Sequence, residues 1–576
     1  MHEPELHHGF GDSRRLTGPN RWFAGTAVTL APLGVCAADG AAQARWCQRV
    51  QALYEQLQWG DAQPHVVRHA GGVFFVCAAP MATLFTATEV AEWAWEQELA
   101  AAGDHSFDIA QPFTPEQALA TFSARAAAEQ HLALQALLAA AEQHDLPFLV
   151  DDEDFSVGAG SGSRTWPLSA LPSPHEVPWP ALHNVPTALV TGSNGKTTTT
   201  RLIAAMAQAA SRSVGLCSTE GVVVNGQLQH SGDYSGPAGA RAVLRDARVQ
   251  VAVLETARGG ILRRGLAVQR ADVAVVTNIS ADHFGEYGVD SAQDLAEVKL
   301  VVARAVTDHG VLVLNADDTP LMRVAERMPH TAQARQALFA AEHTHPALVA
   351  HRAQGGSTCG AHQGQLLLCD HGQTHSLGEV AVLPVNLFGA APYNTANAMA
   401  AALAAVALGL PVQAVRDTLA HFGERPSDNP GRLERWQHRG ATVLIDYAHN
   451  PDGLTQLLTV ARALKPQRLW LLLGQAGNRG DAAIVDLARV AAAFVPDRVV
   501  IKELPAMLRG RALGEVPTLL ERALNEAGLP LATVQHIADE EAAAFALLAA
   551  CAPGLVLVLP LHTAAVRQAV AAHLMR

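Results

Sequence analysis

The chain has 576 residues, of which 49% are hydrophobic and 16% are charged, and its formal net charge is −13. A chain of this length exceeds what one hydrophobic core usually organises, so we expect roughly two to four domains. The acidic balance and the lack of a long basic run argue against nucleic acid as a partner. Seven scattered cysteines without a CxxC pair indicate neither a disulfide framework nor a zinc site.

The N-terminal sequence lacks the apolar core of a signal peptide. The most apolar helical stretch, residues 398–410, is too short to cross a bilayer. We therefore predict a cytoplasmic protein without membrane segments. Residues 1–145 mix apolar runs with Ala-rich helical stretches and contain no catalytic constellation. The stretch 151–180 is rich in Gly, Ser, Pro and acidic residues, and we predict that it is a linker.

From residue 184 onward, short β-branched runs alternate with helical segments, which is typical of parallel strands joined by crossover helices. A Gly- and His-rich insert at 351–380 is predicted to be a small antiparallel excursion. After a break at 424–432 a second series follows, without the GxGxxG turn of a dinucleotide site. The fold class is therefore α/β, and we predict three domains: a smaller α+β N-terminal domain with its linker (1–165), a central parallel-sheet domain (166–430) and a Rossmann-like C-terminal domain (431–576).

The sequence TGSNGKTT follows a predicted buried strand and opens a predicted helix. Gly192 and Gly195 let the backbone curl so that successive N–H groups point toward phosphate oxygens, and the helix contributes its positive N-terminal end. Lys196 is expected to reach the terminal phosphates, and the Thr197 hydroxyl to hold Mg²⁺. Val190 stands where the usual GxxxxGK[ST] loop has its first glycine. The alternative is a Gly/Asn/Ser turn that only caps a core helix.

Three downstream features supply what magnesium and a phosphorylated intermediate require. Glu255 ends a predicted strand, where a carboxylate can face the nucleotide crevice and bind Mg²⁺; a solvated surface glutamate is the alternative. Another strand ends in TNISADH, whose Asn278, Asp282 and His283 either bind a second metal, orient substrate, or merely cap a helix. Lys299 lies in a predicted amphipathic helix, where a surface lysine is the ordinary interpretation.

Together these segments resemble the Mur ligase family of ATP-dependent amide ligases, which join an amino acid or peptide to a carboxylate. The matching motifs occur in family order over about the last two-thirds of the chain: TGSNGKTT, LETARGG, TNISADH, the helix with Lys299, YNTANAMAA, GRLE and IDYAHNPDGL. Within the family, GDYSGPAGARAVL and LRGRALGEVPTLLERAL are similar to the ligase half of the cyanophycin synthetase branch, and the N-terminal third resembles a diverged form of its N-terminal domain. We expect the ATP-grasp body of that branch to be missing here, since the sequence passes straight from the predicted linker to the glycine loop.

The resemblance implies that the protein binds ATP and Mg²⁺. Phosphate binding is implied for residues of the glycine loop, namely Gly192, Asn194, Gly195, Lys196, Thr197 and Thr198. Magnesium coordination is implied for Thr197, Glu255 and His283. Lys299 corresponds to a lysine that family members often carbamylate, and with Lys196 and His283 it completes the catalytic set. Further nucleotide contacts are implied for a group of polar residues: Asn278, Asn394, Asn397, Arg432, Asp446 and His449.

The implied function is ATP-dependent ligation of an amide bond. A carboxylate of an amino acid or an aspartate-containing peptide is activated as an acyl phosphate and joined to an amino-acid amine, with release of ADP and phosphate. A single glycine loop predicts one amide bond per ATP on a small or preformed acceptor, and homo-oligomerisation stays open. The alternative is a catalytically weak, nucleotide-dependent binding or regulatory protein of the same type. A motor or GTPase is disfavoured because the sequence has no NKxD-type signature.

Overall fold

The computed structural model describes residues 9–104, 106–107, 113–280 and 284–576. From residue 10 onward the chain forms a four-stranded antiparallel sheet in the order β1-β2-β4-β3. Its core stacks Trp46 on Phe75 and sets Trp95 edge-on to Phe75. We call this part the N-terminal unit, and it has the predicted α+β character. Its elements are β1 (Phe10–Leu16), β2 (Ala27–Pro32), α1 (Gly40–Gln56), β3 (His65–His69), β4 (Gly72–Ala78), α2 (Leu84–Ala102), α3 (Pro115–Glu129) and α4 (Leu132–Gln143).

The predicted linker at 151–180 is not a simple linker. A three-stranded antiparallel sheet begins just before it and continues through its first half, with β5 (Phe148–Val150), β6 (Asp154–Val157) and β7 (Arg164–Pro167). Phe155 and Val157 pack with Leu137 of α4 in a small apolar cluster. The linker interpretation is therefore wrong for residues 154–167. It failed because the few packing residues are separated by the Gly, Ser and Pro that dominate the composition.

The middle of the chain forms one mixed sheet, which with its helices we call the central unit. Its order is β11-β10-β9-β12-β8-β13-β14-β15-β16-β17-β18. The seven strands from β9 to β16 in that order are parallel, and two antiparallel strands extend each edge. The strands are β8 (Thr187–Thr191), β9 (Val214–Ser218), β10 (Gly221–Val224), β11 (Gln227–Ser231), β12 (Val251–Glu255), β13 (Ala271–Val276), β14 (Val306–Asn315), β15 (Gln336–Glu342), β16 (Ser357–His362), β17 (Gln365–Asp370) and β18 (Gln373–Glu379). The last three strands confirm the antiparallel excursion predicted at 351–380.

Helices cover both faces of the central sheet, because each face presents a separate apolar cluster. One face is covered by α5 (Lys196–Ala209), α12 (Pro392–Ala407) and α13 (Val412–His421). The other carries α6 (Pro237–Leu244), α7 (Arg258–Arg264), α8 (Ala292–Lys299), α9 (Thr319–Arg327) and α11 (Pro346–Ala353), and the short α10 (Pro329–Ala332) follows α9. This arrangement confirms the predicted α/β class and sets the carboxyl ends of β8, β12 and β13 side by side.

The C-terminal unit is a six-stranded sheet in the order β19-β20-β24-β21-β22-β23, parallel except for its edge strand β19. Its strands are nearly continuous apolar runs because both faces are buried under helices. This confirms the Rossmann-like prediction. The elements are β19 (Glu434–His438), β20 (Ala441–Asp446), α14 (Pro451–Ala463), β21 (Arg468–Leu473), α15 (Asp481–Ala493), β22 (Arg498–Ile501), α16 (Glu515–Glu526), β23 (Val534–His536), α17 (Glu540–Ala549), β24 (Leu555–Pro560) and α18 (Ala564–Leu574). Throughout the described ranges, every helix is too short or too polar to pass through a bilayer.

Candidate active site

The glycine loop connects β8 to α5, and its two glycines are required by close approach. Gly192 has φ +150° and Gly195 has φ +84°. A Cβ on Gly192 would lie 1.8 Å from the Thr277 hydroxyl, and one on Gly195 would lie 2.1 Å from Asn397 Oδ1. Both distances are impossible for a real side chain, so only glycine fits at these two turns. The loop therefore opens α5 at a helix N-terminus, which is a favourable place for an anion to bind.

The end of β13 holds the loop in this shape. Asn278 Oδ1 accepts a hydrogen bond from the Asn194 N–H at 2.9 Å, and its Nδ2 donates to the Asn194 carbonyl at 3.0 Å. The Thr277 hydroxyl donates to the same carbonyl at 2.6 Å. Asn278 was predicted to contact the nucleotide, and in the structure its amide binds the loop backbone. The sequence placed it at the correct strand end but did not indicate this supporting role.

Lys196, Thr197 and Glu255 meet at the start of α5. The Lys196 ammonium donates to the carbonyls of Gly192 and Ser193, each at 2.9 Å. The Thr197 hydroxyl donates to Glu255 Oε2 at 2.9 Å. Glu255 is 1% exposed, and its other oxygen, Oε1, has no hydrogen-bond partner among the described residues. The structure thus places Thr197 and Glu255, from two separate motifs, in direct contact. Their roles in binding phosphate and metal stay predictions.

Glu255 carries the properties expected of a cation ligand. Burial raises the pKa of its carboxyl group, and the charges of Lys196 and Arg432 with the hydrogen bond from Thr197 oppose that rise. A buried carboxylate oxygen without a donor is costly unless a cation binds it. Hydroxyl and carboxylate oxygens are also the ligands that Mg²⁺ prefers. The Thr197–Glu255 pair therefore fits Mg²⁺.

We predict that Glu255→Gln has opposite effects on stability and on binding. Because burial holds the carboxyl pKa above its usual value, the ionised form is penalised in the folded chain at neutral pH. Neutralising it should raise the melting temperature of the metal-free protein. The same change should weaken Mg²⁺-dependent nucleotide binding by about tenfold or more. Calorimetric melts and titrations with nucleotide at several Mg²⁺ concentrations measure both effects; unchanged Mg²⁺ dependence would contradict the assignment.

Two residues of the C-terminal unit reach this site. The Arg432 guanidinium donates to the Thr197 hydroxyl at 3.3 Å and lies 4.7 Å from the ring centroid of Tyr447. Asp446, at the end of β20, accepts from the Leu433 N–H at 2.7 Å and so fixes the backbone next to Arg432. Burial raises the pKa of Asp446, against the opposing charge of Arg432. Both predicted residues therefore lie at the junction of the two units.

The motif IDYAHNPDGL also contacts the glycine loop directly. Asn450 Nδ2 donates to Asn194 Oδ1 at 3.1 Å, and Asn194 Nδ2 donates to Asp452 Oδ2 at 2.7 Å. The predicted residue His449 lies beside these, with Nδ1 3.0 Å from the Tyr447 carbonyl oxygen. Asp452 was not predicted. Its position inside a recognised motif was a signal, but no spacing rule links it to a loop 258 residues away.

Asn394, Asn397 and Thr198, which were also predicted to contact the nucleotide, are bonded to other parts of the protein in the structure. Asn394 and Asn397 are buried on α12 and bonded to each other at 2.9 Å, with Asn394 also donating to the Val385 carbonyl at 2.8 Å. The Thr198 hydroxyl accepts from Asn429 Nδ2 at 3.1 Å, which ties the inter-unit segment to α5. A cavity of about 130 Å³ lies beside that segment and is lined by Val385 and Arg432, among others.

Lys299 ends α8 and is 3% exposed. This burial contradicts the surface lysine that the amphipathic pattern ordinarily indicates. His283, predicted as a catalytic residue and metal ligand, and Asp282 lie outside the described residues. Within the described ranges, no group of three or more His, Cys, Asp or Glu residues is arranged to hold a metal ion.

A buried charged cluster that the sequence did not indicate lies at the carboxyl edge of the C-terminal sheet. Lys502 is fully buried, and its ammonium contacts the Glu540 carboxylate and the Pro560 carbonyl and lies 3.1 Å from His562 Nδ1. Burial lowers the pKa of Lys502 to about 8 and that of His562 to about 4. The three residues are far apart in sequence, so only the fold reveals the cluster.

This cluster predicts an acid-sensitive C-terminal unit. Between about pH 6.5 and 4 the unfolded chain binds a proton at His562 that the folded chain does not, so stability falls as pH falls through this window. The expected loss in the free energy of unfolding is about 2 to 3 kcal/mol. His562→Asn keeps an acceptor for Lys502 and should remove this loss. The stability of the C-terminal unit in the two proteins is compared at pH 7 and pH 4.5 by hydrogen exchange of peptides over β22 and β24 in increasing urea. The prediction is refuted if both proteins lose the same stability between these pH values.

Two domain families match the chain in order. The Mur ligase middle domain matches residues 190–405, and the Mur ligase, glutamate ligase domain matches residues 431–561. Over these two domains the chain belongs to the Mur ligase family, as its motifs predicted. It is 36% identical to the cyanophycin synthetase of Synechocystis sp. over 359 residues, which are 62% of this chain and 40% of that protein. It is 36% identical to that of Geminocystis herdmanii over 377 residues, with 65% and 42% covered.

The chain thus spans about two fifths of the length of these relatives. Among solved structures it is similar to E. coli FolC in complex with ADP, with a TM-score of 0.47 and 20% identity over 67% of this chain and 89% of that chain. It is also similar to UDP-N-acetylmuramoyl-L-alanyl-D-glutamate–2,6-diaminopimelate ligase, with a TM-score of 0.40 and 20% identity over 68% of this chain and 79% of that one.

Proposed function

We propose that the protein is an ATP-dependent amide ligase. One observation carries this proposal: an anion-cradling glycine loop with Lys196, a Thr197–Glu255 pair fit for Mg²⁺, and Arg432 from a second unit converge at one point. Membership in the Mur ligase family supports it. We further propose the domain division 1–165, 166–430 and 431–576, a cytoplasmic location, and small-molecule partners in place of nucleic acid or membrane.

In this proposal each residue of the site has a role in placing ATP. The N–H groups of the glycine loop and the Lys196 ammonium hold the phosphates, after the ammonium leaves the two loop carbonyls that it contacts. Thr197 and Glu255, with His283, hold Mg²⁺, which when bound neutralises phosphate charge. The remaining nucleotide contacts are proposed for residues around α12 and the unit junction: Asn394, Asn397, Arg432, Asp446 and His449.

The proposed reaction has two bond-forming steps. An acceptor carboxylate oxygen attacks the γ-phosphorus of ATP, so that ADP leaves and an acyl phosphate forms. The nitrogen of an uncharged amine then attacks the acyl carbon, phosphate leaves, and the nitrogen gives up a proton to solvent. The acyl phosphate must be shielded from water during this time. The contacts of Asn194 with Asn450 and Asp452 bring the C-terminal unit over the loop and can provide that shield.

The substrates are proposed from similarity and position. The similarity to cyanophycin synthetases supports an aspartate-containing acceptor, a single amino acid or short peptide, and an amino acid as the amine. The segment 232–241 lies close to the site, since the Ser235 carbonyl accepts a hydrogen bond at 2.7 Å from the N–H of Ala257, two residues beyond Glu255. We place the acceptor beside this segment.

The test is to measure ADP release with ATP and Mg²⁺, with and without acceptor and amine. A ligase releases ADP only when both are present, and the product mass equals the sum of the substrates less one water. Panels of amino-acid pairs and β-aspartyl peptides serve as substrates, with mass spectrometry of the products. A catalytically weak binding or regulatory protein would bind nucleotide and give no condensation product with any pair.

A further inference from the structure

The N-terminal unit presents an arginine on a loop that is already fixed. Residues 17–26 connect β1 to β2, and the fully buried Asn20 organises them. Its Oδ1 accepts from the N–H groups of Trp22 and Phe23, each at 3.0 Å, and its Nδ2 donates to the Gly18 and Gly25 carbonyls. Arg21 therefore leaves a rigid loop, which lowers the entropy that its contacts cost.

Arg21 binds the helix that ends in Lys299. Its Nη2 donates to Asp294 Oδ1 at 2.6 Å and to Glu297 Oε2 at 2.7 Å, and its Nη1 donates to the Gly288 carbonyl at 3.1 Å. The side chain is only 10% exposed, while the two carboxylates are less than one-third exposed. Charge-assisted bonds in such a setting are among the stronger ones in proteins. One guanidinium thus connects the N-terminal unit to two turns of α8 and to the loop before it.

A second arginine of the N-terminal unit contacts the loop that precedes α8. The Arg14 guanidinium lies 5.1 Å from the ring centroid of Phe74 and 4.6 Å from that of Tyr287, and it donates to the Leu262 carbonyl at 2.7 Å. The Ala70 N–H donates to Asp290 Oδ2 at 2.5 Å. Contacts of the N-terminal unit are therefore distributed along residues 287–297.

The held segment needs external support. Gly285, Tyr287 and Gly288 all have positive φ, and a non-glycine residue such as Tyr287 adopts that conformation only when its surroundings impose it. This segment follows the TNISADH motif and leads through α8 to the buried Lys299. Any displacement of α8 moves Lys299 with it, because the lysine lies two residues beyond Glu297.

We propose that the N-terminal unit is a positioning element of the active site and that Arg21 is its principal positioning residue. By holding segment 284–299, Arg21 fixes the place of Lys299. The expected effect on kcat rests on the proposed ligase function. The expected effect on the order of segment 284–299 does not. It differs from a role of this unit in acceptor docking or assembly, which would not require bonds to α8.

The experiment compares the full chain with three variants. Arg21→Met removes the guanidinium, and Glu297→Gln removes the charge of one of its partners on α8. Arg125→Met is the control. Arg125 pairs with Glu89 at 2.8 Å in the same unit, with both side chains nearly half exposed and far from α8 in the contacts they make. Hydrogen exchange over residues 284–299 is measured first, followed by kcat and by KM for ATP and for acceptor.

We expect Arg21→Met to speed exchange over 284–299 and to lower kcat, each by about tenfold, the factor that corresponds to one charge-assisted hydrogen bond. KM for acceptor should not change, and Glu297→Gln should show the same pattern more weakly. Exchange and kcat equal to those of Arg125→Met, or an effect on acceptor KM alone, would overturn the proposal. If Arg21→Met does not fold, the exchange and kcat of Glu297→Gln test the proposal instead. If the parent protein forms no ADP, the ligase proposal fails, and hydrogen exchange over 284–299 alone tests whether Arg21 holds that segment.

Discussion

Replacing Lys196 with alanine is expected to abolish ADP formation while leaving the fold intact. The ammonium lies at the mouth of the glycine loop, on the carbonyls of Gly192 and Ser193. Phosphoryl transfer depends on positioning and on neutralising charge at the transferring group. Losing one preorganised electrostatic contact of this kind costs about 3 to 4 kcal/mol of barrier, or roughly a hundred- to thousandfold in kcat.

The matched control for this variant is Lys465→Ala, because Lys465 is exposed and belongs to the C-terminal unit. Both proteins should show the same melting temperature, and only the Lys196 variant should lose turnover. ADP is measured in a coupled assay with saturating ATP and Mg²⁺. Near-normal turnover in a correctly folded Lys196→Ala protein would show that the loop does not perform phosphoryl transfer.

The second large effect is expected at Lys299. We propose that this lysine acts as a carbamate, since a bare ammonium beside Mg²⁺ would repel the ion and a carbamate would attract it. Lys299 is buried at the end of α8, where a lysine is seldom found unless it is paired. Lys299→Ala should be inactive, with activity partly restored by small carboxylates or chloride. Lys299→Arg keeps the positive charge and cannot be carbamylated, so it should be equally inactive.

The decisive observation for Lys299 is a high-resolution map of the nucleotide-bound enzyme. Density for a carbamate next to the metal is the expected result. A plain ammonium far from the metal, or an active Lys299→Arg protein, would refute the carbamate.

Local patterns predicted the parts of the fold in which sequence and structure repeat regularly. Buried strands such as β8, β12 and β13 are recognisable as β-branched runs. The position of Glu255 at the carboxyl end of a strand predicted that it faces the glycine loop, and the structure places it in contact with Thr197. The glycine loop could also be predicted from the sequence. Its backbone has positive φ at Gly192 and Gly195, so these positions need glycine and the two glycines stand out as a motif.

Contacts between distant segments could not be predicted in the same way. The bonds of Arg21 to α8, of Asp452 to Asn194, and of Lys502 to Glu540 each join residues that no periodicity relates. The strands at 154–167 were hidden by a composition that usually marks a linker. The polar contacts and these strands alike depend on tertiary packing, which overrides local signals.

The most direct test of the central claim is a stoichiometric one. The purified protein is incubated with ATP, Mg²⁺, aspartate or β-aspartyl acceptors, and a panel of amino acids including arginine, and products are followed by mass and by size. We expect one ADP and one phosphate for each new amide bond, with ADP release dependent on both substrates and no growing chain. An aspartate–arginine polymer formed by this protein alone, or ATP turnover without any condensation product, would contradict it.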